Sequence, residues 1–194
     1  MRFEKRAVTA SLILLLLAAC SYDASQRGTF MKNYDRALAE TDPRVVATLK
    51  RESAEEAGAL GRFRDFYTVF SGERIRRAVR DLYAKDAYFR DGFREVRGIE
   101  EIERYFLSTT EAFEECTFDI QDFAVRGGDY YFRWVMTIAL KRDRKDRFQV
   151  VGMSHVRFDR AGRVTFHQDY WDTGAIYERI PALGGVITWI RRRI

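Results

Sequence analysis

The chain of 194 residues is poor in cysteine, proline and histidine, with two of each. With only Cys20 and Cys116, no disulfide framework of the kind that staples small exported domains can form. Two histidines without ligand spacing to other donors argue against a metal centre, and no cofactor is expected. Charge of one sign is also missing. The net charge is +5, basic and acidic residues interleave, and nothing resembles the basic stripe that tracks nucleic acid. Aromatic residues are plentiful at 14%, and with only Pro43 and Pro181 beside them they suit a packed core or an aromatic-walled pocket.

Long apolar runs are scarce too. The stretch over residues 7–17 is about half the ~20 residues of a spanning helix. It follows Arg2, Lys5 and Arg6 and leads into Leu17-Ala18-Ala19-Cys20. A basic start, a short apolar core and small residues before a cut mark a secretory signal. The Cys after Leu-Ala-Ala resembles the lipobox of bacterial lipoproteins, which implies acylation of Cys20 and removal of residues 1–19. Ser21, rather than Asp, implies sorting to the periplasmic face of the outer membrane. Loss of Arg2, Glu4, Lys5 and Arg6 with that leader would bring the net charge from +5 to +3. Cys116, left without a partner, reads as a small buried apolar residue.

Residues 20–60 are polar and alanine-rich and read as a tether. Asp42-Pro43, a cap followed by proline at the first helical position, predicts a helix over residues 42–57. Helical spacing then links Phe63, Phe66, Tyr67 and Phe70, and links Ile75, Val79 and Leu82 after a turn at Gly72. An extended piece, Tyr88-Phe89-Arg90-Asp91, ends at Gly92. Gly98 opens a third helix carrying Ile99, Ile102, Tyr105, Phe106 and Phe113 on one side. Strands are expected at 117–125, 130–140, 148–159 and 164–172 from their two-residue alternation, with the charged run 141–146 as a hairpin loop. On the last strand His167, Asp169 and Trp171 share one face. Helices followed by an antiparallel meander predict an α+β domain over residues 61–179. Residues 180–194 carry an apolar stripe (Leu183, Val186, Ile187, Ile190, Ile194) beside Trp189 and Arg191-Arg192-Arg193. They read as a short helix closing the domain, or alternatively as an interfacial membrane helix.

The segments Leu82-Tyr83-Ala84-Lys85-Asp86, Phe89-Arg90-Asp91, Arg157-Phe158-Asp159 and Gln168-Asp169-Tyr170-Trp171-Asp172, in this order and spacing, carry a resemblance. The chain resembles the SnoaL-like and ketosteroid-isomerase-like branch of the nuclear transport factor 2-like superfamily. The resemblance implies a cone in which a curved antiparallel sheet wraps around helices and encloses an apolar cavity. It implies an oxyanion-donating Tyr at Tyr67, a proton-shuttling Asp at Asp91 and a pocket Trp at Trp171. The place of that branch's second, protonated acid is taken by Ser154, and Gly92 stands where a Pro usually follows the base. Asp169 matches the acid of the limonene-epoxide-hydrolase-like branch. That chemistry also needs an Arg and a second Asp from a neighbouring strand; Arg133 is the nearest candidate, on the strand's other face. Tyr67, Asp91, His167 and Asp169 are thus the candidate catalytic residues, and Trp134, Ser154 and Trp171 the candidate ligand contacts. Two functions are open. One is a lipid-anchored protein binding a small apolar or amphipathic molecule; the other is an acid/base enzyme using Asp91 and Asp169. Membrane attachment through Cys20 and homodimerisation through the open sheet face are the expected associations.

Overall fold

The computed structural model describes residues 24–141, 143–180 and 183–193. Cys20 and the expected leader lie outside the described residues. The chain divides into two compact units, residues 1–40 and 41–194. The described part of the first is one helix, α1 (Ala24–Glu40), in a stretch where the sequence offers no core pattern. Among the described residues no helix is long and apolar enough to cross a membrane.

The second unit starts with a departure from expectation. Of the helix anticipated over residues 42–57, the start is a single turn, in which Val45 and Val46 donate to the Asp42 carbonyl, and only residues 54–57 are helical, as the first turn of the next helix. The Asp42 carboxylate accepts from the Arg44 backbone and guanidinium, fixing that turn. Val45, Val46 and Thr48 are β-branched, and Glu52 adopts φ 60°, which stops any propagation. The helix α2 (Ala54–Thr68) starts afresh at Ser53, whose hydroxyl accepts from the Glu56 amide at 3.2 Å. Ser71 caps α3 (Gly72–Leu82) in the same manner.

Strand β1 (Tyr83–Arg90) follows without a loop, longer than the piece expected from sequence. A short β2 (Glu95–Arg97) returns beside it before α4 (Ile99–Thr110). The meander comprises β3 (Phe113–Arg126), β4 (Asp129–Leu140), β5 (Asp143–Phe158) and β6 (Val164–Trp171). Phe113 therefore opens a strand and is not on the third helix. Strand β5 takes in most of the charged run, so the hairpin loop is much tighter than residues 141–146; Leu140 already pairs with Asp143. Two short helices end the chain, α5 (Gly174–Tyr177) and α6 (Gly184–Arg191).

The six strands form one curved, unclosed sheet in the order β2-β1-β6-β5-β4-β3. Only β1 and β6 are parallel. This is the α+β architecture expected. The inner face of the sheet, with Phe132, Trp134, Met136, Phe148, Val150, Val156 and Phe158, packs on Phe63 and Phe66 of α2, Ile75 and Val79 of α3, and Ile102 and Phe106 of α4. Burying each such side chain is worth roughly 1.5–3 kcal/mol. The helices fill one end of this concave face and leave the other unfilled. On the outer face Val151, Met153 and Tyr170 stand exposed.

Candidate functional site

The unfilled part of the concave face is an apolar cavity of about 60 Å³. Phe70, Phe89, Phe106, Phe118, Trp134, Met136 and Trp171 supply most of its wall, and two carboxylates, Asp91 and Asp169, reach it. An outer groove of about 580 Å³ adjoins it, and Phe93, Tyr105, Thr109, Phe113 and Ile176 line both. The groove adds Arg94, Glu111 and Lys141, so polarity rises from the interior outward.

Asp169 comes from the inner-facing register of β6, as period-two alternation requires. It is the meeting point of two buried hydrogen-bonded arms. Ser154, its register partner on β5, donates to Asp169 Oδ1 at 2.5 Å, and Trp134 Nε1 donates to the Ser154 oxygen at 2.9 Å. From the other side His167 Nε2 lies 2.8 Å from the same Oδ1. His167 Nδ1 is 2.6 Å from the Tyr83 hydroxyl, which is 2.5 Å from that of Tyr67. With its proton on Nε2, His167 donates to Asp169 while Nδ1 accepts from Tyr83, whose oxygen accepts from Tyr67. Burial, then the neighbouring Tyr83 and Asp169, push the Tyr67 phenol well above its ordinary range. Burial does the same to Tyr83. Both therefore keep the protons that this chain needs. Asp169 Oδ2 has no hydrogen bond from the described residues.

Asp91 sits just beyond β1. Its Oδ1 accepts from the Phe93 and Arg94 amides at 2.7 and 2.9 Å, closing a tight turn, and Tyr105 donates to Oδ2 at 2.5 Å. Burial raises its pKa despite these three donors, and the charge of Asp169 adds to the rise. A raised carboxyl binds a proton more readily folded than unfolded, so stability is lost as pH rises from the ordinary Asp value through the raised one. Asp91→Asn is accordingly expected to raise the melting temperature at pH 7. The gain should fade as pH falls toward the ordinary Asp value of about 3.9. Thermal melts at the two pH values check this, and a lower melting temperature at pH 7 would contradict it.

Gly92, the residue after Asp91, is closely approached by Thr173. A Cβ there would stand 2.0 Å from Thr173 Cγ2, so the glycine lets Thr173 close over the turn beside Trp171. Gly152 plays a related part, because the Trp134 indole lies across it, with a Cβ built there only 2.1 Å from Cη2.

Several expected site residues occupy different depths. Asp91, Asp169, Tyr67, Trp134 and Trp171 line the cavity. His167, 1% exposed, and Ser154 stand behind Asp169 and hold it, outside the cavity lining. The Tyr67 hydroxyl is directed at Tyr83 and His167. Arg133 is exposed and pairs with Asp122, away from the cavity. His155 lies on the outer face against Asp129, where burial lowers its pKa in spite of that carboxylate. Cys116 is buried in the cavity wall, where burial pushes its thiol up to about 12. Tyr83 and Tyr105 are legible in the sequence only as apolar positions; their hydroxyl partners come from distant segments. Among the described residues no group of three or more His, Cys, Asp or Glu is placed to hold a metal ion.

A search of curated proteins returns no match. Solved structures do match, at sequence identities that speak to fold alone. A putative SnoaL-like polyketide cyclase from Jannaschia sp. CCS1 is 15% identical, with a TM-score of 0.57 over 69% of this chain and 98% of its own. An epoxide hydrolase of M. tuberculosis, described as LEH-like, is 17% identical, with a TM-score of 0.50 over 62% of this chain and 85% of its own. A protein of ketosteroid isomerase-like fold from Catenulispora acidiphila, solved with trimethylamine, is 18% identical, with a TM-score of 0.53 over 61% of this chain and 88% of its own. The family model described as a SnoaL-like domain matches residues 63–167, which span α2 to the middle of β6. With that match over more than half its length, and with the cone-shaped α+β fold around an acid-bearing cavity, this chain belongs to the SnoaL-like domain family.

Proposed function

We propose that the cavity binds the reacting end of a small apolar or amphipathic molecule, and that Asp169 and Asp91 move a proton on it. The observation that carries this is the meeting of two carboxylates in one apolar cavity, Asp169 from β6 and Asp91 from the turn after β1. Asp169 is the proton acceptor: Ser154 and His167 fix Oδ1, while Oδ2 has no such donor and faces the ligand. Asp91, its pKa raised by burial, is the partner acid. Trp134 and Trp171 are walls, and Ser154, His167, Tyr83 and Tyr67 position the base. The inner cavity takes only a few heavy atoms, and the adjoining groove takes the rest of the molecule. Isomerisation, dehydration and hydration all fit this pair. Arg133 lies away from the cavity, which disfavours the epoxide-hydrolase arrangement. Acylation of Cys20 and residence at the periplasmic face of the outer membrane are part of the proposal, on the strength of the leader sequence.

The test is a set of small ketones, alcohols, alkenes and epoxides incubated with the protein in deuterium oxide or oxygen-18 water. Mass spectrometry then reads carbon-bound deuterium or incorporated oxygen. Label uptake above the uncatalysed rate is the expected result. Binding in the cavity without any label uptake by any compound would leave a binding protein and overturn the proton-transfer reading. No binding at all would overturn both.

A further inference from the structure

The terminal helix α6 is held to the domain by one side. Gly184 lies directly on the Glu178 carbonyl, where a Cβ would come within 2.0 Å of the oxygen. Arg191 is paired with Asp172 and Glu178. At about 100° per residue, Leu183, Val186, Trp189, Ile190 and Arg193 fall within an arc of roughly 120°, and Gly184 and Arg191 lie on the opposite side. That arc is exposed: Val186 by 53% and Trp189 by 55%, with Leu183 and Ile190 exposed by 39% each. The Arg193 guanidinium lies 4.3 Å from the centre of the Trp189 ring.

We infer that this face of α6 docks on an anionic lipid surface. A stripe of aliphatic side chains beside an exposed Trp and two cations not engaged by the Asp172–Glu178 pair has the composition that settles at the headgroup level of a bilayer. Indole favours that layer, and Arg192 and Arg193 complement acidic headgroups. A helix facing the core would have turned this stripe inward; here the docking side is instead a glycine and an ion pair. The segment preceding α6 lines the outer groove through Ile176, in α5, and Ile180. A docked α6 therefore keeps that groove near the lipid surface, whatever the chemistry in the cavity.

The experiment uses the full chain with vesicles carrying brominated acyl chains, which quench tryptophan within the bilayer. Trp134 is buried, and the difference from Trp189→Phe isolates the Trp189 signal. The expected result is quenching of Trp189 in phosphatidylglycerol-rich vesicles and far less in pure phosphatidylcholine. Arg192→Gln and Arg193→Gln should each weaken the anionic-lipid response about fivefold, and together about 25-fold. Both are exposed positions, and unchanged circular dichroism verifies folding. Equal quenching with both lipids, or none with either, would overturn the inference. So would Trp189 shielded from a soluble quencher in a vesicle-free dimer, since the face would then belong to a second copy.

Discussion

Asp169→Asn is expected to lower label exchange on any ligand that turns over by about 10²–10⁴-fold, the usual contribution of a positioned acid or base. The substitution is nearly isosteric. An asparagine carbonyl oxygen can take the place of Oδ1 and keep the hydrogen bonds from Ser154 and His167. Its amide NH₂ then faces the cavity where Oδ2 stood, replacing an acceptor by a donor. Affinity for a neutral ligand should change less than about threefold, because the apolar wall is untouched. The measurement is therefore a comparison of turnover and of dissociation constant for the same compound. Full exchange by Asp169→Asn would place the chemistry elsewhere, with Asp91 as the remaining carboxylate in the cavity. A large loss of affinity with unchanged turnover would make Asp169 a recognition group.

Gly152→Ala should produce the largest loss of stability, about 3 kcal/mol. The new methyl would lie 2.1–2.5 Å from three atoms of the Trp134 six-membered ring, far inside contact distance. Backbone atoms of the central strand β5 are paired on both sides, to β4 and β6, and have little freedom to yield. The indole must move instead. Overpacking of this kind costs about 1–3 kcal/mol, and loss of the Trp134–Ser154 hydrogen bond about 1 more. For a domain of this size the melting temperature falls by roughly 2–4 °C per kcal/mol, hence about 10 °C. The displaced ring has the cavity as its neighbouring space, so ligand affinity should fall with stability. Urea denaturation gives the first number and a binding titration the second. A variant as stable as the parent would show that Trp134 is not held over Gly152 in solution.

These two residues also separate what can be read locally from what cannot. Alternation along β6 by itself puts His167, Asp169 and Trp171 on one face, and in the folded sheet the three do share it. Helical spacing likewise assigns Phe63, Phe66 and Tyr67, and Ile75, Val79 and Leu82, to the core. Period arguments work there because side-chain direction in a regular element depends only on the backbone repeat. They fail over residues 42–53 of the helix expected at 42–57, where a correct cap and proline precede β-branched residues that do not carry a helix. They also overextend the 141–146 loop, since charged side chains on a strand's exposed end look the same as a loop.

The sequence alone, through its periodicities and its family resemblance, pointed to an α+β cone and to the core-facing residues of α2, α3 and α4. It also placed Asp91 and Asp169 among the inward or turn positions. Tertiary structure decided the rest. Ser154 meets Asp169 only because β5 and β6 pair in that register. Tyr67 meets His167 across 100 residues, because α2 is docked on the sheet beside β1 and β6. Such bonds depend on strand order and helix docking, which are set by the summed burial of the whole core. No local repeat encodes them, and so the sequence shows Tyr83, Tyr105 and Gly152 as ordinary helix and strand residues, whereas the fold makes them the supports of the two carboxylates.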